Sequence, residues 1–177
     1  MSQAEIAGGK VTLPNELPSK GHCLRDFTLK AASSGHPVHL SDYRGRANLV
    51  LIVDDGRPDT AMLMSDATRH YAEIKNQEAE ILAIVEPSRV AQADQCRISF
   101  SYPVLIDESG SIHRQLGAVD SEGHDVAAVY VTDRFGEVFG AYRKAAGQAL
   151  PDIGNILRWL EFVNAQCPEC EPPEWPV

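Results

Sequence analysis

Apolar positions along the chain fall either in short unbroken runs or in stripes at helical spacing. Leu49 to Val53 is such a run, rich in branched residues, as in a strand covered on both faces. Asp54-Asp55-Gly56-Arg57-Pro58 ends it with Gly and Pro as punctuation. Leu63, Ala67, His70, Tyr71 and Ile74 then recur at helical spacing. This predicts one long helix, capped by Asp59 or Thr60, with those five residues on its core face. Glu80 to Val85 is a second apolar strand and Tyr102 to Asp107 a third. A helix opened by Pro87 and running to Arg97 lies between them.

The flanks follow the same logic. Phe27 to Lys30 and Val38 to Leu40 pair as a hairpin across Ser33-Ser34-Gly35-His36. Ser41 to Arg44 is a single helical turn stopped by Gly45. After the turn at Glu108-Ser109-Gly110, Ser111 to Leu116 is a short helix. Val126 to Thr132 and Glu137 to Arg143 form a second hairpin over Asp133-Arg134-Phe135-Gly136. The last helix runs from Pro151 or Asp152 to Gln166, with Ile153, Ile156, Leu157, Leu160 and Val163 as its core stripe. Trp159 and Phe162 widen that stripe, enough to cover the tail or a second subunit. Alternating strands and helices closed by a hairpin and a helix predict an α/β fold with a central mixed sheet. The organisation is an arm at 1–20, with a short strand at Lys10 to Leu13, a domain at 21–166, and a Pro-rich tail at 167–177.

Composition narrows the partners. A net charge of −9 argues against nucleic acid and anionic membrane surfaces, both of which repel an acidic protein. No apolar run approaches the length of a membrane span, and the first residues lack a basic region followed by an apolar one. These features predict a cytoplasmic protein with reduced thiols.

Several segments together resemble the thioredoxin-fold peroxiredoxins, the alkyl hydroperoxide reductase / thiol-specific antioxidant family. They are Asp26-Phe27-Thr28-Leu29 with Gly35, Val38 to Arg46, the central strand–loop–helix, and Tyr130 to Val138, and the resemblance covers residues 21 to 165. It implies a thioredoxin-like fold of the peroxiredoxin subclass and thiol-disulfide or peroxide chemistry. Two departures stand out. The family places a nucleophilic cysteine at the head of the central helix; aligning Pro58 with the family proline puts Thr60 there, and no cysteine lies between Cys23 and Cys96. The arginine that the family sets before the late strand falls at Ala127, and the thioredoxin proline before that strand is missing. The resemblance therefore marks Asp55, Arg57, Pro58 and Thr60 as a vacated active-site loop without a thiolate. Asp54 and Asp59 border it, and strand-end loops of such sheets gather ligands. Loop solvation and helix capping are the plainer role for these carboxylates, and weak cation binding is another.

The remaining chemistry lies at Cys167-Pro168-Glu169-Cys170. Two thiols at this spacing form a redox pair, supply half of a tetrahedral zinc site, or make an inert turn. A preceding helix C-terminus and the neighbouring Glu169 and Glu171 disfavour a thiolate. As a redox pair, its partner is another thiol-redox protein, and no cofactor is needed. As a zinc site, closure needs Cys23, a histidine or a second subunit in a homodimer. The run Glu171 to Pro176 cannot continue a helix and lies extended, with Trp175 seated in a groove or offered to a partner. Cys23 and Cys96 read as small hydrophobes. His70 reads as a structural histidine, and the other five have no ligand spacing.

Overall fold

The structure is a computed structural model that describes residues 17–95 and 99–166. The predicted strand at Lys10 to Leu13, Cys96 and the pair Cys167–Cys170 lie outside the described residues.

Twelve elements build one sheet with helices on both faces. The strands are β1 (Thr28–Ala31), β2 (Pro37–His39), β3 (Asn48–Val53), β4 (Ala79–Val85), β5 (Val104–Ile106), β6 (Ala128–Thr132) and β7 (Val138–Arg143). The helices are α1 (Pro58–Arg69), α2 (Tyr71–Asn76), α3 (Pro87–Gln95), α4 (Ser111–Gln115) and α5 (Ile153–Asn164). The sheet order is β2-β1-β5-β4-β3-β6-β7. β3, β4 and β5 are parallel neighbours, while β1–β2 and β6–β7 are the two predicted hairpins, joined antiparallel at either side.

The alternation of side chains along β3 divides the core in two. Leu49, Leu51 and Val53 pack with Leu82, Ile84, Leu105, Tyr130, Ile112 and Leu116 on the face covered by α4. Val50 and Ile52 pack with Leu63, Ala67, Ile74, Ile81, Val129, Ile156 and Leu160 under α1, α2 and α5. All six residues of β3 are buried, which is why its sequence shows no polar alternation. Asp152 caps α5 by accepting from the Asn155 N–H at 2.7 Å. No helix of the described residues is long and apolar enough to cross a membrane.

The central helix departs from its predicted form. It breaks at His70 into α1 and α2, and His70 sits at the break with its side chain 44% exposed, 2.9 Å from Glu73 Oε1. Nearly two turns earlier, the Met64 carbonyl accepts the Thr68 hydroxyl at 3.1 Å and the Tyr102 hydroxyl at 2.8 Å, while the His70 N–H still bonds the Asp66 carbonyl at 3.0 Å. The predicted caps also differ. Arg57 is the N-cap, Pro58 takes the first helical position, and Asp59 and Thr60 lie inside the first turn.

Candidate functional site

The parallel strands all end on the same side, and each is followed there by a carboxylate: Asp54 after β3, Glu86 after β4 and Asp107 after β5. These ends open onto a cleft of about 540 Å³ whose walls include Asp54, Asp55, Glu86, Arg89, Asp107, Arg114, His124 and Asp125.

Asp54 and Asp55, which lead from β3 toward α1, stand in one wall. Thr60, the third residue of α1, is fully buried, and its hydroxyl donates to Asp55 Oδ1 at 2.6 Å. The same oxygen accepts the Arg57 N–H at 3.1 Å. Asp55 Oδ2 has no hydrogen-bond partner, and the Arg57 Nε stands 3.6 Å away. A buried carboxylate thus occupies the positive end of α1, the position that would otherwise stabilise an incoming anion or thiolate. Asp59, which the sequence suggests as a cap, instead pairs with Lys144 across the mouth of the loop, and that hydrogen bond holds its carboxyl below the usual range. Ala127 is buried immediately before β6 and brings no polar side chain. The residues predicted for the vacated loop, Asp55, Arg57, Pro58 and Thr60, are therefore gathered at the head of α1.

The floor of the cleft is wired by residues that the sequence reading passed over. His113 is fully buried, with Nδ1 2.8 Å from Asp107 Oδ2 and Nε2 3.3 Å from the Asp54 carbonyl. Asp107 Oδ2 also accepts the Ile112 and His113 N–H groups at 2.9 Å, pinning the start of α4. Burial opposes ionisation of Asp107, but the His113 ring and these N–H groups outweigh it and hold the carboxyl low. Asp54 behaves oppositely. Burial raises it, against the Gly56 N–H at 3.0 Å and the Arg89 guanidinium at 3.9 Å. Gly56 has φ +72°, and a Cβ there would lie 1.4 Å from Arg89 Nη2, so a side chain would strain the backbone and displace that guanidinium. At the rim, a side-chain hydrogen bond to Asp125, with some burial, lifts Glu86 above its ordinary value. The sequence signal that could have revealed this floor is the recurrence of an acid just past each buried strand.

Cys23 is at the other end of the sheet. It bridges to Glu137, beyond the end of β6 where Thr132 pairs with Leu49. Thr60 follows the opposite end of β3, a strand length or about 17 Å away. Cys23 is half-buried; burial first, then Asp133 and Glu137, push its thiol up to about 11, an unreactive thiol at neutral pH. The end of α5 shares this end of the sheet, where Asn48 Nδ2 donates to Asn164 Oδ1 at 2.7 Å. Among the described residues, no group of three or more His, Cys, Asp or Glu side chains is placed to hold a metal ion.

Comparisons with known proteins agree with this architecture. A sequence model described as the AhpC/TSA family matches residues 21–140. A search of curated proteins gives no match. Peroxidoxin BcpB from Mycobacterium tuberculosis superposes with a TM-score of 0.65 at 21% identity, covering 82% of this chain and 98% of that one. The reduced 2-Cys peroxiredoxin of Plasmodium vivax gives 0.70 at 16% identity, covering 81% and 95%. Mycobacterium tuberculosis AhpC gives 0.67 at 13% identity, covering 85% and 95%. At such identities the superpositions speak for the fold, a thioredoxin-like mixed sheet of the peroxiredoxin kind.

Proposed function

Because the chain belongs to the AhpC/TSA family, we propose that it is a thiol-redox protein whose exchange chemistry is carried by Cys167 and Cys170, not by the head of α1. The observation that supports this reading is the Thr60–Asp55 hydrogen bond of 2.6 Å. It puts a hydroxyl and a carboxylate where peroxide reduction needs a thiolate and an activating cation. In the proposed reaction the Cys167 thiolate attacks a disulfide of another thiol-redox protein, forming a mixed disulfide and releasing one partner thiolate. The Cys170 thiolate then displaces the second, leaving a Cys167–Cys170 disulfide and a reduced partner. Two electrons and two protons pass to the partner. Nothing in this sequence of steps involves the cleft, which lies at the far end of the sheet from the end of α5.

Thiol titration with and without reductant tests it, alongside exchange with a model disulfide. The wild type should hide two thiols on oxidation, and Cys167→Ser or Cys170→Ser should hide none and lose exchange. A pair that never oxidises overturns the reading. Thr60→Cys alone should confer no hydroperoxide turnover, since Asp55 opposes a thiolate there and Ala127 supplies no cation.

The closed seat at Thr60 also favours a second reading, a binding module that kept the scaffold without the chemistry. Replacing all four cysteines separates the two: a module keeps its partner, a redox protein loses its activity. A zinc role for the same pair predicts metal in the purified protein that disappears in Cys170→Ser.

A further inference from the structure

The solvent side of α5 carries an aromatic shelf. Phe162 is 47% exposed. Its ring meets Trp159 edge-on at 5.9 Å and Phe139 of β7 at 6.1 Å. The shelf is rigid: the Trp159 indole N–H donates to the Tyr142 hydroxyl at 2.6 Å, and the indole lies over Gly140, where a Cβ would come within 3.3 Å of it. Its rim is cationic. Lys20 Nζ stands 5.3 Å from the Trp159 ring, and Arg158, one turn before Phe162 in α5, donates to Asn155 Oδ1 at 2.6 Å.

We propose that this shelf is the docking site for the chain's own segment Glu171-Pro172-Pro173-Glu174-Trp175. Chemistry matches first. Proline-rich segments enter extended, with little entropy to lose, and seat on aromatic surfaces. Position matches next: Phe162 lies one turn before Gln166, the last described residue ahead of the segment. A chain reversal within 167–170 followed by an extended run of about 3.1 Å per residue carries 171–175 back about 12 Å. That is about two turns of α5, the distance needed to lie beside Phe162 and Trp159. Charge matches last, because Glu171 and Glu174 would face Lys20 and Arg158. Leu17, the first described residue, lies against Gly117, just past α4 on the opposite face of the sheet. The docking does not depend on the redox reading.

Trp159 and Trp175 are the only two tryptophans, so the difference between the full chain and its Trp175→Phe variant isolates Trp175 emission with the shelf intact. That emission should be blue-shifted and protected from acrylamide, relative to a free 167–177 peptide, and independent of protein concentration. Adding Phe162→Asp, with the fold checked by circular dichroism, should red-shift the emission and raise quenching to the peptide's level. Deleting residues 1–16 should leave the signal as it was. Peptide-like emission before the Phe162 change, or emission indifferent to that change, overturns the proposal. So does a signal lost on deleting 1–16, which would make the N-terminal arm the occupant. A signal that fades on dilution as a dimer dissociates assigns the shelf to a second copy and also overturns it.

Discussion

The two ends of the sheet are built on opposite terms. Past the ends of β3, β4 and β5, buried polar side chains bond to one another, Thr60 to Asp55 and His113 to Asp107 and the Asp54 backbone, with one Asp55 oxygen left without a hydrogen bond. Such a network fixes one arrangement, because each unmet partner would carry a desolvation cost. At the other end the described groups are the Cys23 thiol, amides and aromatic rings, and the sequence continues from Gln166 into the cysteine pair. Under the proposed reading, the end of the sheet that the resemblance marks as catalytic serves as structural wiring, and the exchange chemistry belongs to Cys167 and Cys170, beyond Gln166.

Four measurements test that contrast, in order of expected effect. Asp107→Ala should be the most damaging, since it strands a buried histidine and two N–H groups. A loss of about 3–5 kcal/mol is expected, seen as a drop of roughly 10 °C in thermal melting; a near-neutral result would mean the wired end is not wired. Cys23 comes next. With its thiol pushed up to about 11 from the usual 9.0, on the order of a hundredfold less thiolate forms at neutral pH. Site-resolved alkylation should therefore label Cys23 far more slowly than a solvent thiol, and rapid labelling would remove its contrast with the tail pair. Gly56→Ala should cost about 1–2 kcal/mol for its left-handed backbone, plus whatever is lost when Arg89 is displaced from Asp54. A chemical-denaturation midpoint reads both. The smallest effect is pH-dependent. Asp54 is raised in the fold, so the stability it lends is present in acid and is lost as pH rises through its elevated value. Asp54→Asn should accordingly gain on the wild type as pH rises from acid to neutral. A difference that runs the other way would mean that Arg89 dominates that carboxylate.

Much of the fold was legible because it rests on local signals. The apolar runs at β3 and β4, the hairpin turns and the α5 stripe each carry their own periodicity, and the order of elements then fixes an α/β sheet. The break at His70 was not legible, because helical spacing continues through it to Tyr71 and Ile74 with no Gly or Pro to mark it. His70 turns outward there. The seat at Thr60 was visible from the resemblance alone, through the alignment of Pro58. What fills it was not, since Asp55 reads in sequence as one more loop acid. Arg89 and His113 were invisible for a similar reason: each acts on Asp54 from a different element, and only the folding of β4 and β5 beside β3 brings them there.

β3 lies between β4 and β6, and β6 begins 75 residues after β3 ends. During synthesis one flank of Asn48–Val53 therefore stays open until Ala128–Thr132 has left the ribosome. For that interval the nascent chain displays an uncovered row of backbone donors and acceptors on an almost wholly apolar strand, the template on which cross-strand aggregation starts. Fragments halted before Ala128 should precipitate or require a holding chaperone, whereas those extended past β7 should remain dispersed.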